Sequence, residues 1–493
     1  MRAALLFSAQ SCLICVSLFA QEGSFPSAAD LATARAGELV VKPGTYQGQK
    51  ADWCMLIVPE SRDRPGGKLL HLPVLRIHAR KKTDLPPVFY CFGGPGASNI
   101  HTWWPESFYA EHDFVQVGYR GVDGSVTLDI PEAGKALQSG RPFDTDTLRR
   151  AGAALAEGLG RLRGDGIDIA HYTMVDVVDD LEAARKGLGY GKINLLSHSY
   201  GTQLASVYCL RHPQSLGRNL MVGASAPGFA TLWEPAEVDR GIRRYANLWR
   251  QDPKCALRTT DLEGAVRTAL AGLPREWKGV RIDPDPVRLA TFKMLYDTAT
   301  AVQALDAFVS ATEGDWGGLA LLSVAWDRNP GGRLSLGDSF CKLASARIYE
   351  PGRDYLSDMN PGDSIIGSPM TRLNMGLIQV TPSLLDLVPP IPENYRKGWR
   401  HEVPTLVVNG ALDFSSPVAV AEKELMPYLK NGKMVILPNM GHNDPFTQQD
   451  ALVHLMETFY RTGEADASVY PQAPVNFTPA KRLTDVARQT LAQ

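Results

Sequence analysis

Short apolar runs and stretches of helical spacing alternate through the first half of this chain. Residues 53–58 and 69–77 read as two strands, and the turn-rich Ser61-Arg62-Asp63-Arg64-Pro65-Gly66-Gly67 between them predicts a hairpin. The apolar run 86–92 ends in Gly93-Gly94-Pro95-Gly96, and the run 114–117 ends at Tyr119-Arg120-Gly121. Over 175–188 the residues Val177, Val178, Leu181, Ala184 and Leu188 share one helical face, which Gly187, Gly189 and Gly191 close. A buried strand follows at 193–196, then a helix over 203–210 broken by His212-Pro213, then a strand at 220–222 that ends at Ala226-Pro227-Gly228. Helices alternating with short apolar strands predict a mostly parallel central sheet with helices on both faces.

The alternation then stops. Residues 229–400 read as helices and loops, most clearly over 289–307 and over 318–326, the latter stopped by Asn329-Pro330-Gly331-Gly332. Strand-like sequence returns at 404–408 and 434–437, with a helix over 417–429 between them and a last core helix over 446–460. An insertion of roughly 170 residues is longer than any ordinary loop. It is expected to form a helical lid over the carboxyl edge of the sheet, where ligands bind in such folds. The expected division is therefore a first core segment, 21–228, the lid, 229–400, a second core segment, 401–463, and a tail, 464–493, with a short terminal helix and no assigned role.

Composition narrows the partners. The chain has 493 residues, 44% hydrophobic and 21% charged, which is the balance of a globular protein with a large core. Its 51 basic and 53 acidic residues leave a net charge of -2, so a polyanion-binding surface and a nucleic-acid partner are not expected. Residues 1–20 read differently: Arg2, an apolar stretch to Phe19, and Ala20 before the polar Gln21-Glu22-Gly23. This is the pattern of a secretory signal cleaved near Ala20, and it predicts export to the periplasm or the medium. The run is short for a span and is interrupted by Ser8, Gln10 and Ser11, so no stable membrane insertion is expected after cleavage. Cys12 and Cys15 lack the leucine and small residues of a lipoprotein signal just upstream. Of the remaining cysteines, Cys255 and Cys341 either pair or stay isolated buried thiols; spacing does not choose. No CxxC or Cys/His cluster suggests a metal in the expected mature chain, and no cofactor is expected.

Three segments carry candidate chemistry, each just past a predicted strand: Ser197-His198-Ser199-Tyr200-Gly201, Asn409-Gly410-Ala411-Leu412-Asp413 and Asn439-Met440-Gly441-His442. Their order, Ser then Asp then His, is that of the α/β-hydrolase triad. A serine hydroxyl is a poor nucleophile until a histidine takes its proton, and a carboxylate must hold that histidine in the right tautomer. Ser199 is the candidate nucleophile, the blander reading being a cap on the helix that begins at Tyr200. Asp413 is the candidate acid, or a helix cap before Ser415-Ser416-Pro417. His442 is the candidate base, placed between the last strand and the last helix. For the oxyanion hole, Tyr200 offers one amide at a helix N-terminus and the glycine loop a second, from Gly94, with Gly93 as the alternative. Pro95 has no N–H to offer.

Gly93-Gly94-Pro95-Gly96, Tyr119-Arg120-Gly121-Val122-Asp123-Gly124-Ser125, Ser199-Tyr200-Gly201-Thr202 and Asn439-Met440-Gly441-His442 together resemble the serine aminopeptidase branch of the α/β-hydrolases, which includes proline iminopeptidases and secreted tripeptidyl aminopeptidases. The resemblance runs over about residues 50 to 460, weakest in the lid. It implies Ser199, Asp413 and His442 as nucleophile, acid and base, a helical lid, no cofactor, and cleavage of residues or short peptides from free N-termini. Three positions depart from the pattern: Ser197 stands for the usual glycine, Phe92 for a histidine before the glycine loop, and Gly118-Tyr119 for an aspartate and a glutamine before Arg-Gly. The last two weaken the likeness to proline iminopeptidase itself.

An aminopeptidase must hold an ammonium group. Glu234, Glu237 and Asp239 are candidates early in the lid, and solvated helix charges are the blander reading. Trp103 and Trp104 line an apolar pocket or sit in the core. The expectation is an exported serine hydrolase of aminopeptidase type acting on a peptide or small amide or ester. A carboxylesterase with the same triad is the first alternative, and a catalytically silent binding protein the second.

Overall fold

The computed structural model describes residues 23–491 apart from 65, 102, 226–231, 329–333 and 398; the predicted signal segment lies outside the described residues. Seven strands precede the insertion: β1 (Leu39–Tyr46), β2 (Gln49–Pro59), β3 (Leu69–Ile77), β4 (Val88–Cys91), β5 (Phe114–Val117), β6 (Ile193–His198) and β7 (Leu216–Val222). The small ribbon β8 (Glu276–Trp277) and β9 (Val280–Arg281) lies within the insertion, and β10 (Thr405–Gly410) and β11 (Gly432–Leu437) follow it. One sheet runs β1-β2-β3-β5-β4-β6-β7-β10-β11. Its first three pairings are antiparallel and the rest parallel. This is the α/β-hydrolase fold the sequence predicts.

Every residue of β4, β6 and β10 is buried, because helices cover both faces. The hairpin expected at 53–77 is present as β2 and β3. The edge strand β1 was not legible: Lys42, Pro43 and Gly44 interrupt its pattern, which only an edge position tolerates.

Two expected helices are interrupted. The stretch read as one helix over 289–307 is Pro284–Met294 followed by Thr298–Thr312, with a break at Leu295, Tyr296 and Asp297. The helix expected over 417–429 stops at Glu424 and ends in a tighter turn at Met426–Tyr428, where Pro427 withholds a donor.

The earlier helices between β7 and β10 have their own apolar core, including Val238, Trp249, Phe292 and Phe308, whereas the helices Leu336–Ala346 and Pro369–Val380 pack through Phe340, Cys341, Met375 and Ile378 into the cluster of the sheet. The loop after β10 contributes Leu412 and Phe414 to the insertion's own core. The tail also joins it, through Phe477 against Trp249 (5.3 Å) and through Leu483, Val486 and Ala487 of the helix Leu483–Thr490. Arg482 of the tail bonds Asp306 of the insertion at 3.0 Å. Cys54, Cys91, Cys209, Cys255 and Cys341 are buried free thiols. A Cys255–Cys341 bridge is thus excluded in this structure; the two belong to different apolar clusters. Among the described residues, no helix is long and apolar enough to cross a membrane, and no group of three or more His, Cys, Asp or Glu side chains is placed to hold a metal.

Candidate active site

Ser199 sits on the turn between β6 and the helix Gly201–Arg211 with φ of +54°, a left-handed conformation that costs a serine about 1–3 kcal/mol. Its amide donates to Val222 O of β7 (3.0 Å), and its carbonyl accepts from the Thr202 amide (2.9 Å) and hydroxyl (2.6 Å). These bonds hold the strain, and the residue stays partly exposed at the sheet's carboxyl edge. Ser197, in place of glycine, is accommodated because its hydroxyl turns into the sheet and donates to Leu220 O at 3.2 Å.

Asp413 and His442 are each 1% exposed, and His442 Nδ1 lies 2.8 Å from Asp413 Oδ2. The other carboxylate oxygen of Asp413 accepts from Ser416 N (2.8 Å), so the capping reading and the acid reading use different oxygens of one group. The loop after β10 is pinned by Asn409, whose side chain accepts from Ala224 N (2.9 Å) and donates to Ala224 O (3.2 Å) and Ser416 O (2.7 Å).

The histidine loop is held from the insertion. The break at 295–297 leaves the Tyr296 carbonyl outside the helical ladder, and it accepts from His442 N at 2.7 Å. Asp444, two residues after the histidine, accepts from Gly441 N (2.6 Å) and from Thr298 N at the start of the next inserted helix (3.1 Å). The Tyr296 ring meets His442 edge-on at 5.3 Å. His198, 5.1 Å away on the other side, is held neutral by its burial and by neighbouring His442, its pKa lowered to about 3. His442 Nε2 is buried and makes no hydrogen bond within the protein. The carboxylate–imidazole contact is therefore formed, and the imidazole–hydroxyl contact is open.

The glycine loop passes so close to Ser199 that a Cβ on Gly93 would lie 2.4 Å from the serine Cβ. Buried Asn99 anchors it, accepting from Phe92 N (2.8 Å) and donating to Tyr90 O and Val117 O (2.9 Å each). Asp123 in turn accepts from Asn99 N and Tyr119 N (2.9 Å each). Gly93, Gly94, Ser199, Tyr200 and His442 all line one cavity of about 420 Å³. Its far wall is supplied by the insertion, with Trp233, Phe292, Tyr296, Leu336, Met370 and Leu373. Lys293 also lines it, and burial lowers its ammonium to about 8.

The acidic residues singled out for an ammonium do not reach this cavity. Glu234 forms a two-pronged pair with Arg353 (2.8 and 2.7 Å), Glu237 pairs with Arg240, and buried Asp239 accepts from Ser364 Oγ and Ile365 N (2.9 Å each). None of the three lines it. Trp104 is fully buried core, and Trp103 stacks on it at 4.5 Å. Arg120 of the Tyr-Arg-Gly segment is also structural: it is fully buried and bonds Asp180 (2.6 and 2.8 Å), Glu60 O (2.9 Å) and His171 O (2.6 Å). Sequence reading missed Asn99, Asn409, Tyr296 and Asp444. Only Asp444 carried a local signal, as a carboxylate beside the candidate base.

A family model described as alpha/beta hydrolase fold matches residues 86–240, and one described as TAP-like protein matches residues 386–471. A tripeptidyl aminopeptidase of Streptomyces lividans is 27% identical over 248 residues, 45% of this chain and 45% of that protein. The tripeptidyl aminopeptidase of Streptomyces coelicolor is 28% identical, over 45% of this chain and 44% of that protein. The serine protease Hip1 of Mycobacterium tuberculosis is 27% identical over 256 residues, 48% of this chain and 47% of that protein. Each match thus spans less than half of the relative's length. The chain resembles serine peptidases of this kind, as its motifs imply.

Proposed function

We propose that this protein is an exported serine hydrolase working through Ser199, His442 and Asp413. The observation that carries the reading is a strained serine at the strand–helix turn, sharing a cavity with a buried imidazole whose Nδ1 is engaged by a carboxylate. Nδ1–H donating to Asp413 leaves the Nε2 lone pair as the acceptor. A hydrogen bond from the Ser199 hydroxyl to Nε2 completes the triad; such bonds are often open before substrate binds. Ser199 Oγ then attacks the scissile carbonyl while Nε2 takes its proton. The Tyr200 and Gly94 amides, with Gly93 the alternative to Gly94, hold the oxyanion. Imidazolium protonates the leaving group, and water activated by His442 releases the acyl-enzyme.

The similar peptidases support an amide near a free peptide N-terminus as the substrate. Carboxylesterase activity is the second reading, favoured because Glu234, Glu237 and Asp239 are engaged outside the cavity and the described insertion wall is mainly apolar. Labelling by a fluorophosphonate, lost in Ser199→Ala, tests the nucleophile; a folded sample that does not label favours a silent binding protein. Free and N-acetylated forms of one peptide separate the substrates. Equal cleavage removes the aminopeptidase reading, and activity confined to esters establishes the second. N-terminal sequencing of the exported protein tests the leader: a start near Gln21 is expected, and an intact Met1 overturns cleavage.

A further inference from the structure

The insertion touches the glycine loop backbone to backbone. Ser335 N donates to Gly96 O at 2.8 Å, and a Cβ on Gly96 would lie 2.5 Å from Ser335 O. Ser335 is the N-cap of the helix Leu336–Ala346. One turn on, fully buried Asp338 lies against Gly121, where an added Cβ would sit 2.3 Å from its Oδ1. Its Oδ2 accepts from Lys342 Nζ at 2.5 Å, and Lys342 is fully buried too. The Lys342 ammonium lies 5.4 Å from the centre of the Tyr119 ring, and the Tyr119 hydroxyl donates to Phe92 O (3.2 Å), just before the glycine loop. The pair thus packs against the Tyr119–Gly121 segment, which in turn bonds the backbone just before the glycine loop.

A fully buried ion pair is poor value for stability, since desolvating both charges offsets their attraction and an apolar pair of similar volume often packs as well. Both partners lie on one helix, so what ties that helix to its neighbours is the packing of Asp338 against Gly121 and of the Lys342 ammonium over the Tyr119 ring. We propose that Asp338 and Lys342, together with the Ser335 amide, are positioning residues that clamp the Gly93–Gly96 loop and so hold the Gly94 amide at the oxyanion. The inference rests on the serine-hydrolase reading. An oxyanion donor acts only over about 2.7–3.1 Å, so a small slide of this helix weakens it without touching Ser199, His442 or Asp413.

The test uses the whole protein with p-nitrophenyl butyrate as the substrate probe and a fluorophosphonate as the labelling probe. Ser335→Pro deletes the donor to Gly96 while suiting the φ of -70° at that position, and Ser335→Ala, which keeps the amide, is its reference. The expected result is a kcat and a labelling rate 10- to 100-fold lower for Ser335→Pro than for Ser335→Ala, with KM within threefold. Asp338→Leu/Lys342→Met, which removes both charges, is expected to keep or raise the melting temperature and still lose 10- to 100-fold in kcat. Amide exchange of the segment 93–97 is expected to quicken at least tenfold in both slow variants. A double variant with wild-type kcat, or a Ser335→Pro variant matching Ser335→Ala in rate and exchange, overturns the clamp. Should the double variant not fold, the proline–alanine comparison decides alone. A wild type that neither labels nor turns over removes the hydrolase reading, and unchanged exchange in Ser335→Pro would still overturn the clamp.

Discussion

The loops after β6 and β10 are anchored on the sheet, the second with further bonds from Arg244 and Trp233 of the insertion, whereas the loops after β4 and β11 also take backbone tethers from the insertion. Ser199 hangs from Val222 of β7, and the Asp413 loop hangs from Asn409 of β10. The His442 backbone instead hangs from Tyr296, Asp444 from Thr298, and Gly96 from Ser335. Candidate nucleophile and acid are thus registered chiefly from the strands, while the candidate base and the glycine loop also take backbone bonds from inserted segments. Catalytic competence can therefore be changed from the insertion without altering a reacting group.

Removing the sheet-held groups has the largest expected effect. Ser199→Ala is expected to abolish turnover, and Asp413→Asn to lower kcat by about 10⁴-fold by releasing the imidazole tautomer. Both are read in steady-state kinetics, and residual activity above a hundredth of wild type in either would break the comparison on the sheet side. Insertion-held contacts come next. Asp444→Ala strands two amide donors, Gly441 N and Thr298 N, at about 1–3 kcal/mol each if they stay buried, and is expected to lower the melting temperature. Misplacing the imidazole by about 1 Å accounts for an expected kcat loss up to roughly 100-fold. Unchanged kcat in a folded Asp444→Ala would show that the sheet alone places the base.

The two regions also answer pH with opposite sign. Glu182 lies on the helix that packs the sheet; burial raises its pKa, but Arg185 and Tyr208 outweigh this and lower it to about 2. Its contribution is present above its ordinary 4.5 and is lost as pH falls toward 2. Burial raises Asp338 from 3.8 to about 6 against the pull of Lys342, so the folded state keeps this proton longer and stability falls as pH rises from about 4 to 6. Relative to wild type, the difference in melting temperature across pH 2 to 7 is expected to grow with pH for Glu182→Gln, as the stabilisation it removes sets in, and to change with the opposite sign between about pH 4 and 6 for Asp338→Asn. Slopes of equal sign would refute the assignment. The smallest effect is expected at Glu234→Gln and Glu237→Gln, whose KM for a free-amine peptide should stay within twofold of wild type. A tenfold rise would put an ammonium site at that end of the insertion.

Strand runs, the glycine loop and the Ser, Asp, His order were all legible in the linear chain. Buried parallel strands are continuous apolar runs, and the residues that end them obey turn chemistry, so both signals are local. What was illegible depended on partners far along the chain. Residues 289–307 have unbroken helical spacing, yet the structure breaks them at Tyr296, where a carbonyl meets His442 from another part of the chain. Glu234, Glu237 and Asp239 were candidates by type, and only their tertiary partners took them out of the cavity. The sequence by itself determined which groups are offered at strand ends, because helix and strand periodicity and turn preferences act over a few residues. The tertiary structure alone decided where the histidine and glycine loops are tethered and which charges face the cavity, because those outcomes are set by hydrogen bonds and burial between segments that no local pattern relates.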